Sequence, residues 1–536
     1  MTVPRAALHD ERTALRVFTA SGLMGVNLVV RALTGFALVG LGVRYLPGAE
    51  CGLWLLLQSI AGYLFLADFG VGQNIVNRVG ELTALRRDED ISATVTNGAA
   101  LYVALVGVIW VAFVALCWRT QLTHHLIKEA SSMQARQFDL LLVPYGTLVL
   151  ARVPLTVFTS ALTGLREQSA RATYEIATTL VGFGAIAATL MGTHDLVATI
   201  LVQGGGLVVL GALSYPVLKS RFHKPVLCWH SLSLTMIGTL AKRSGLLFLF
   251  SVTYLTLRSA PNIATGRHSG LVFVPLMFAL LSVFRSGAWP LVDIVSRVLQ
   301  PYVAGWHVRN DTERLHWALE VSTKVSFGIA LGFFGLLILS APLLFRMWVG
   351  RPIMSCDLGL WTMGIAFVLE CLCLPAVNAM VASHQIRALA ASMVAYSCTT
   401  VGLCEIMLGH YKDNPTLGIG LALLLATLCC HVFPVPLLAK HAFRLSSCRV
   451  REVYLYRCGG VLLVSLAALW PLSLWAGAPL VLRLGVYIPL LCAVMWYGLP
   501  TTSERLLLKG ALKRRPWVTL RLEAGAEPLS AGSTSD

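Results

Sequence analysis

Charged residues are scarce in this chain. Asp, Glu, Lys and Arg together make up only 13% of its 536 residues, whereas hydrophobic residues make up 56%. With a mean hydropathy of +0.73, this composition excludes an ordinary soluble globular protein. The alternation of apolar and polar residues typical of outer-membrane strands is also absent. The composition therefore predicts an all-α polytopic membrane protein.

Several signatures of enzyme chemistry are missing as well. The 13 cysteines form no CxxC pair, and the 13 histidines form no HExxH motif or His-rich tract, so no metal site is predicted. No P-loop is present, which argues against ATP hydrolysis by the chain itself. The N-terminus carries Asp10 and Glu11 ahead of a long apolar run, which does not fit a cleavable signal peptide. We expect no enzyme and no cofactor.

The apolar runs predict fourteen membrane spans, six in each of two lobes and one extra pair. The predicted spans, in order, are Val17–Val43, Cys51–Ala67, Ala99–Trp118, Phe138–Leu162, Thr173–Met191, Leu196–Leu218, Leu234–Leu257, Gly270–Val292, Trp317–Phe345, Leu358–Ala382, Leu389–Leu408, Leu417–Leu438, Val453–Trp475 and Leu480–Leu499. The corresponding regions are an N-terminal segment (1–16), an N lobe (17–218), a linker (219–233), a C lobe (234–438), the extra pair (439–500) and a basic tail (501–536).

The net charge of +16 is explained by topology. Cationic residues are more numerous in the loops that face the cytoplasm if the N-terminus does, which predicts that both termini are cytoplasmic. Basic loops at that face are expected to bind acidic lipid headgroups, and no nucleic-acid partner is predicted.

One stretch, Tyr45 to Asp90, has an unusual order of features. A Leu46-Pro47 turn leads to Gly52-Leu53-Trp54, then to Asp68-Phe69-Gly70-Val71-Gly72, and then to a charged loop at Arg86–Asp90. Asp68 at the end of an apolar run is costly unless it faces a wet cavity or a partner. Gly70 and Gly72 allow another helix or a ligand to approach closely.

This order of features resembles the second helix of bacterial polysaccharide flippases of the multidrug/oligosaccharidyl-lipid/polysaccharide (MOP) exporter superfamily. Weaker resemblance lies in Asn310-Asp311, at the place of the family's motif after the eighth helix. The resemblance implies a two-lobed fold like that of the multidrug and toxin extrusion (MATE) transporters, with a membrane-bound oligosaccharide as cargo.

Ionisable residues inside the predicted spans are candidates for function because each is expensive in a bilayer. Arg31, Arg152 and Arg285, with Arg243, are expected to line a cationic cavity, since pyrophosphate needs guanidinium forks or several cations. Asp68 and Glu370, with Gly70 and Gly72, are expected to serve coupling or gating. Two alternatives stay open: Lys242 and Arg243 lie close enough to a helix end to snorkel, and Arg31 could pair with Asp68 across two helices.

The function predicted from these features is a flippase of the bacterial inner membrane. It would move polyprenyl-pyrophosphate-linked oligosaccharide, a repeat unit of O-antigen, capsule or exopolysaccharide, to the outer leaflet by alternating access. With no nucleotide site, coupling to H⁺, Na⁺ or the membrane potential is expected, and a polysaccharide polymerase and assembly proteins are expected partners. The alternatives are a MATE-like multidrug exporter and a polysaccharide polymerase or ligase.

Overall fold

The computed structural model describes residues 5–85, 87–120, 132–222, 224–293, 303, 306–307, 311–350, 353–383, 386–475 and 478–500. All the regular secondary structure in these ranges is helical, as the composition predicts. The basic tail, Arg86 and the Arg309–Asn310 pair lie outside the described residues.

The N lobe is built from nine described helices. They are α1 (Arg5–Tyr45), α2 (Gly48–Leu64), α3 (Val71–Ala84), α4 (Asp88–Thr120), α5 (Ser132–Arg152), α6 (Thr156–Gly164), α7 (Gln168–Thr193), α8 (Leu196–Ala212) and α9 (Ser214–Arg221). A 3₁₀ turn at Val153–Leu155 separates α5 from α6. Pro154 lies in this turn, where its missing N–H ends the ladder of helical hydrogen bonds just after Arg152.

The rest of the chain continues in the same manner, with π-helical turns inserted at three places. Its described helices are α10 (Leu234–His268), α11 (Val274–Ser282), α12 (Thr312–Trp348), α13 (Leu358–Ala382), α14 (Ile386–His410), α15 (Pro415–Thr427), α16 (Pro434–Phe443), α17 (Ser447–Val450), α18 (Gly460–Leu474) and α19 (Leu480–Gly498). The π turns are Val283–Ala288, Leu428–Val432 and Arg451–Gly459.

Each of the fourteen predicted spans coincides with one or more of these helices, in the same order along the chain. Among the described residues, twelve stretches are long and apolar enough to cross a membrane. The second and the seventh predicted spans are not among these twelve. The second coincides with α2, which has only 17 residues before its break, and the seventh lies in α10. The protein is thus a polytopic membrane protein, and fourteen crossings stays a prediction.

Burial is uneven between the lobes. In Leu358–Val381, which contains most of α13, 78% of the most apolar window is buried inside the protein, against 17% for Asp88–Arg119 in α4. The helix α13 packs against α12, α15 and α16, whereas most of the apolar surface of α4 faces away from the protein. A polar residue on α13 is therefore withdrawn from lipid and water alike.

The second span is broken at the motif that the sequence singled out. A 3₁₀ turn covers Phe65–Asp68, and Phe69 and Gly70 then take left-handed conformations with φ of 45° and 73°. Glycine adopts this conformation freely, whereas a residue with a side chain does so at a cost of about 1–2 kcal/mol. The chain re-enters a helix at Val71, so Asp68 lies at an interruption and not at the end of a continuous helix.

The two lobes contact each other along a seam between α2–α3 and α10. The seam includes Ser59 with Asn262, whose Nδ2 donates to the Ser59 hydroxyl over 3.3 Å. Phe69 stacks on Phe248 with ring centroids 4.3 Å apart. The seam ends at two further contacts: Asn74 donates to the carbonyl of Leu240, and Gly52 meets Leu271, just beyond α10, so closely that a Cβ would clash with the Leu271 carbonyl oxygen.

A second contact between the lobes lies where α1 and α12 end. The Trp348 indole donates to the carbonyl of Phe36 over 2.7 Å, and Arg44 donates to the carbonyl of Met347 over 3.0 Å. This is the end of the bundle that loop charge predicts to be extracytoplasmic.

The connection between the lobes is held against α4 by hydrogen bonds to backbone groups. These bonds are Ser92 Oγ to Pro225 O (2.6 Å), Cys228 N to Thr96 Oγ1 (2.9 Å), Asn97 Nδ2 to Ser231 O (2.8 Å) and Ser233 N to Asn97 Oδ1 (2.7 Å). The linker is therefore fixed to the N lobe as far as Ser233, which also caps α10 by accepting the N–H of Met236.

Candidate functional site

Asp68 lies in a polar cluster inside the N lobe. Its Oδ1 accepts the hydroxyl of Tyr102, which is fully buried, and the N–H of Gly72 at 3.2 Å. A Cβ at Gly72 would lie within 3.1 Å of the oxygens of Tyr102, Asp68 and Ser160. A side chain at Gly72 would therefore crowd these three oxygens, and Asp68 connects the first turn of α3 to α4 through its bonds to Gly72 and Tyr102.

Arg31 and Arg152 form the centre of a second cluster. Arg31 is exposed in the middle of α1, and it lies within electrostatic reach of Arg152 at the end of α5. The Arg152 guanidinium lies over the Phe65 ring, 5.8 Å from its centroid, and therefore beside the break in the second span. Phe65 itself is 37% exposed, so this cluster borders space that protein does not fill.

One carboxylate, Glu175 of α7, balances the charge around these arginines. Its two oxygens accept Arg171 Nε at 2.7 Å and Asn27 Nδ2 at 2.6 Å. Glu175 also interacts electrostatically with Arg152. Arg152 and Arg171 therefore both interact with Glu175, and Arg31 lies close to Arg152. Among the described contacts, Glu175 is the one carboxylate in this cluster of three guanidinium groups.

Arg285 lies in a third cluster, within the C lobe. Its Nη1 is 2.6 Å from Glu370 Oε1, and the side chains are only 7% and 4% exposed. The guanidinium also lies 5.2 Å from the centroid of Trp289. Two charges buried this deeply persist only because each compensates the other.

Polar groups from further positions surround this pair. Tyr396 of α14 bonds to Thr427 over 2.8 Å and stacks on His431 with ring centroids 5.2 Å apart. The His431 ring is within electrostatic reach of Arg285, and its buried Nδ1 has no hydrogen-bond partner in the part of the chain that the structure describes. Asp293 accepts from Asn378 at 3.1 Å nearby.

Two of the π turns carry residues of this cluster. Arg285 is on the turn Val283–Ala288, and His431 is on Leu428–Val432. A π turn inserts one residue into a helix and appears frequently at functional sites. The two helical segments that present Arg285 and His431 are therefore both irregular at the level of the buried pair.

The structure brings the predicted site residues together in part. Arg31 lies near Arg152, Glu370 pairs with Arg285, and Asp68 contacts Gly72. Arg285 has no described contact with Arg31 or Arg152. The alternative pairing of Arg31 with Asp68 is not formed among the described residues, and the side chain of Arg243 lies outside them. A single cavity lined by these arginines therefore stays a prediction.

Sequence reasoning missed several residues of these clusters. His431 lies within an apolar span and satisfies the same rule that selected Glu370, so the sequence did contain its signal. Asn27, one turn before Arg31, could have been found by helical spacing. Tyr102 and Tyr396 carry no such signal, because a tyrosine in a span is ordinary. Within the described ranges, no group of three or more His, Cys, Asp or Glu is placed to hold a metal ion.

Comparisons with known proteins identify the fold. An inward-facing multidrug resistance MATE family transporter of the MOP superfamily superimposes with a TM-score of 0.62 at 14% identity, over 80% of this chain and 100% of that one. The lipid II flippase MurJ in an inward closed conformation gives 0.60 at 11%, over 89% and 97%. The eukaryotic MATE transporter AtDTX14 gives 0.56 at 11%, over 82% and 98%.

No protein-family model matches the chain, and no curated protein matches it significantly. The structural similarity establishes a MOP-like transporter fold, and the similar structures are transporters and a flippase. At these identities the similarity shows the fold alone, and neither an activity nor a cargo follows from it.

Proposed function

We propose that this protein is a flippase for polyprenyl-pyrophosphate-linked oligosaccharide. The observation that carries the proposal is the cluster of Arg31, Arg152 and Arg171, in which Glu175 is the one carboxylate among the described contacts. Arg31 lies in the middle of its span, and the cluster borders open space. A pyrophosphate is the kind of group that such guanidinium forks bind.

The path of the cargo follows from the two-lobed arrangement. The pyrophosphate is held by the N-lobe arginines while the bundle is open to the cytoplasm, and the lobes then rock about the α2–α10 seam to release it at the other face. Loop charge supports cytoplasmic termini, in the inner membrane of a bacterium. A polymerase and other assembly proteins that consume the cargo are the partners this function requires.

Energy for transport is proposed to come from an ion gradient or the membrane potential. Glu370 is buried and Asp68 is partly buried, and either can carry a proton if its surroundings change during the movement. H⁺ is therefore the first coupling ion to test, with Na⁺ as the second.

A MATE-like multidrug exporter is the second candidate, and the fold comparisons favour it equally. Its cationic cargo would require acidic side chains facing the open space. The exposed N-lobe cluster has the opposite charge, which supports an anionic cargo instead.

The test is movement of lipid-linked oligosaccharide across sealed proteoliposomes. Wild-type protein should expose the sugar to an external glycosidase, and Arg31→Lys and Arg152→Lys should reduce the rate severalfold, because lysine keeps the charge but loses the planar fork. Arg78→Lys is the matched control, since Arg78 pairs with Glu81 at an exposed position. It should transport normally.

The outcome that overturns the proposal is unimpaired transport by both cluster variants and by their Ala counterparts at equal protein levels. Efflux of cationic dyes with no lipid-linked sugar movement would assign the protein to the multidrug alternative. For coupling, transport that ignores a proton gradient and survives both Asp68→Asn and Glu370→Gln would exclude these acids as the coupling groups.

A further inference from the structure

The sequence predicts separate roles for the two members of the C-lobe pair, with Arg285 binding cargo and Glu370 coupling. In the structure the two residues form an ion pair with each other instead. The Glu370 carboxylate accepts from Nη1 of Arg285 at 2.6 Å, and both side chains are almost without exposure to solvent. An anion that binds at this Nη1 must therefore displace Glu370.

We propose that Arg285 is an anion-exchange site, at which an anionic group of the cargo displaces Glu370 and the displacement is accompanied by uptake of one proton. This inference rests on the proposed function, because it takes the cargo to be an anion. It adds a specific coupling step to that function: anion binding and protonation become a single event.

The proton follows from the charges that face Glu370. The groups that interact with its carboxylate are Arg285 from the α11 span, Tyr396 of α14, and Cys371 and Cys373 on α13 itself. One step further out, His431 of the π turn after α15 interacts with Arg285, and Asp293 interacts with Cys371. Of these, Arg285 is the one cationic partner that Glu370 has among the described residues. On α12, Lys324 pairs with Glu320 at 2.6 Å.

Once another anion holds Arg285, a charged Glu370 would be a second anion buried beside the first. A buried carboxylate without its cation is strongly disfavoured, and the group is neutralised by a proton instead. The carboxylic acid that results can donate a hydrogen bond to the neutral acceptors around it. No covalent bond between heavy atoms is made or broken, and the proton comes from solvent.

The backbone around the pair is irregular. Arg285 is on one π turn and His431 on another, and such turns appear frequently at functional sites. A Cβ added at Gly287, on the same turn as Arg285, would lie 3.3 Å from the ring of Phe36 in the N lobe, so this turn lies close to α1.

The exchange predicts how anion affinity depends on pH. If one proton is taken up per anion, the dissociation constant should rise about tenfold for each unit of increasing pH, within the range where Glu370 is ionised in the free protein. The direction of this pH dependence is fixed because the bound state holds the extra proton, so a lower pH favours binding.

The experiment uses the purified full chain in nanodiscs, with geranylgeranyl pyrophosphate as the probe. Calorimetric titration in buffers of different ionisation enthalpy counts the protons taken up, at about pH 7.5 to 8.5, where the probe itself changes charge little. Wild type should take up about one proton per probe. Glu370→Gln should bind more tightly, with neither proton uptake nor pH dependence.

Two further variants make the assignment specific. Glu405→Gln is the matched control, since Glu405 also pairs with a cation, Arg267 at 3.2 Å, but at a partly exposed helix end. It should behave as wild type. His431→Gln should still take up the proton. Loss of uptake in His431→Gln with retention in Glu370→Gln would overturn the assignment to Glu370.

The exchange and the flippase function can fail separately. Wild-type binding of the probe without proton uptake overturns the exchange, even if Glu370→Gln does not fold, and leaves the flippase proposal intact. No binding of the probe overturns the exchange as well. The flippase proposal is then decided by the transport assay, which does not depend on Arg285.

Discussion

The buried pair of Arg285 and Glu370 gives the sharpest prediction about stability. Replacing Glu370 with Met leaves the arginine charge in the interior, and such a loss costs about 3–5 kcal/mol in the free energy of unfolding. The exposures of 7% and 4% place this pair among fully buried ones. The Trp289 ring and the Tyr396 hydroxyl remain near the guanidinium, so the lower half of that range is expected.

The double variant Arg285→Met/Glu370→Met should be more stable than either single variant. Two methionines of similar volume remove both desolvation costs, and such replacements are often neutral or stabilising by about 1–4 kcal/mol. The coupling energy between the two positions should therefore exceed about 2 kcal/mol, well above what unconnected positions show.

Unfolding in mixed micelles, followed by far-ultraviolet circular dichroism as denaturing detergent is added, measures these differences. The corresponding cycle at Arg267 and Glu405, where the side chains are 52% and 34% exposed, is the control. Its coupling should stay below about 1 kcal/mol. If the Arg285/Glu370 double variant is destabilised by the sum of its single variants, the two charges do not compensate each other and the reasoning is wrong.

Three other predictions test the packing and the topology. Gly52→Ala should destabilise the protein by at least about 1–3 kcal/mol in the same unfolding assay, because the Leu271 carbonyl cannot move aside for a Cβ; a neutral result would mean that the lobes do not touch there. Gly335→Ala should be costly in the wild type but nearly free in a Tyr487→Leu background, since a Cβ at Gly335 would clash with the Tyr487 hydroxyl; additive costs would contradict that contact. Reporter fusions at His125 and at the C-terminus should report opposite sides of the membrane, and a common side would refute the predicted topology.

The helices were predictable because long apolar runs leave the chain few choices. In a bilayer every backbone N–H and C=O must be satisfied within its segment, so an apolar run of sufficient length becomes a helix. Pro154 ended α5 for the same reason, since it lacks the N–H that the ladder needs. The break in the second span was less visible: the glycines around Asp68 indicated close approach, but not the left-handed turn at Phe69.

The partners of the charged residues were not predictable from one sequence. Glu370 and Arg285 are 85 residues apart, and nothing in either span says which helix lies opposite. If α13 were rotated about its axis by a fraction of a turn, Glu370 would face lipid or another helix. The π turns at Val283–Ala288 and Leu428–Val432 also lack a sequence signal, because packing and not composition inserts the extra residue.

The attachment of residues 224–233 to α4 has a consequence for how the protein is put together. Ser92, Thr96 and Asn97 form four hydrogen bonds with backbone groups of the linker. The linker therefore binds to α4 in a way that depends little on its own side chains. If the chain were cut near residue 223, the N half would retain the α4 side chains and the C half the linker backbone to which they bind. Each half would also retain its own side of the α2–α10 seam. Covalent continuity then contributes mainly a high local concentration, and a split protein made from separately translated halves would find its complement within the membrane.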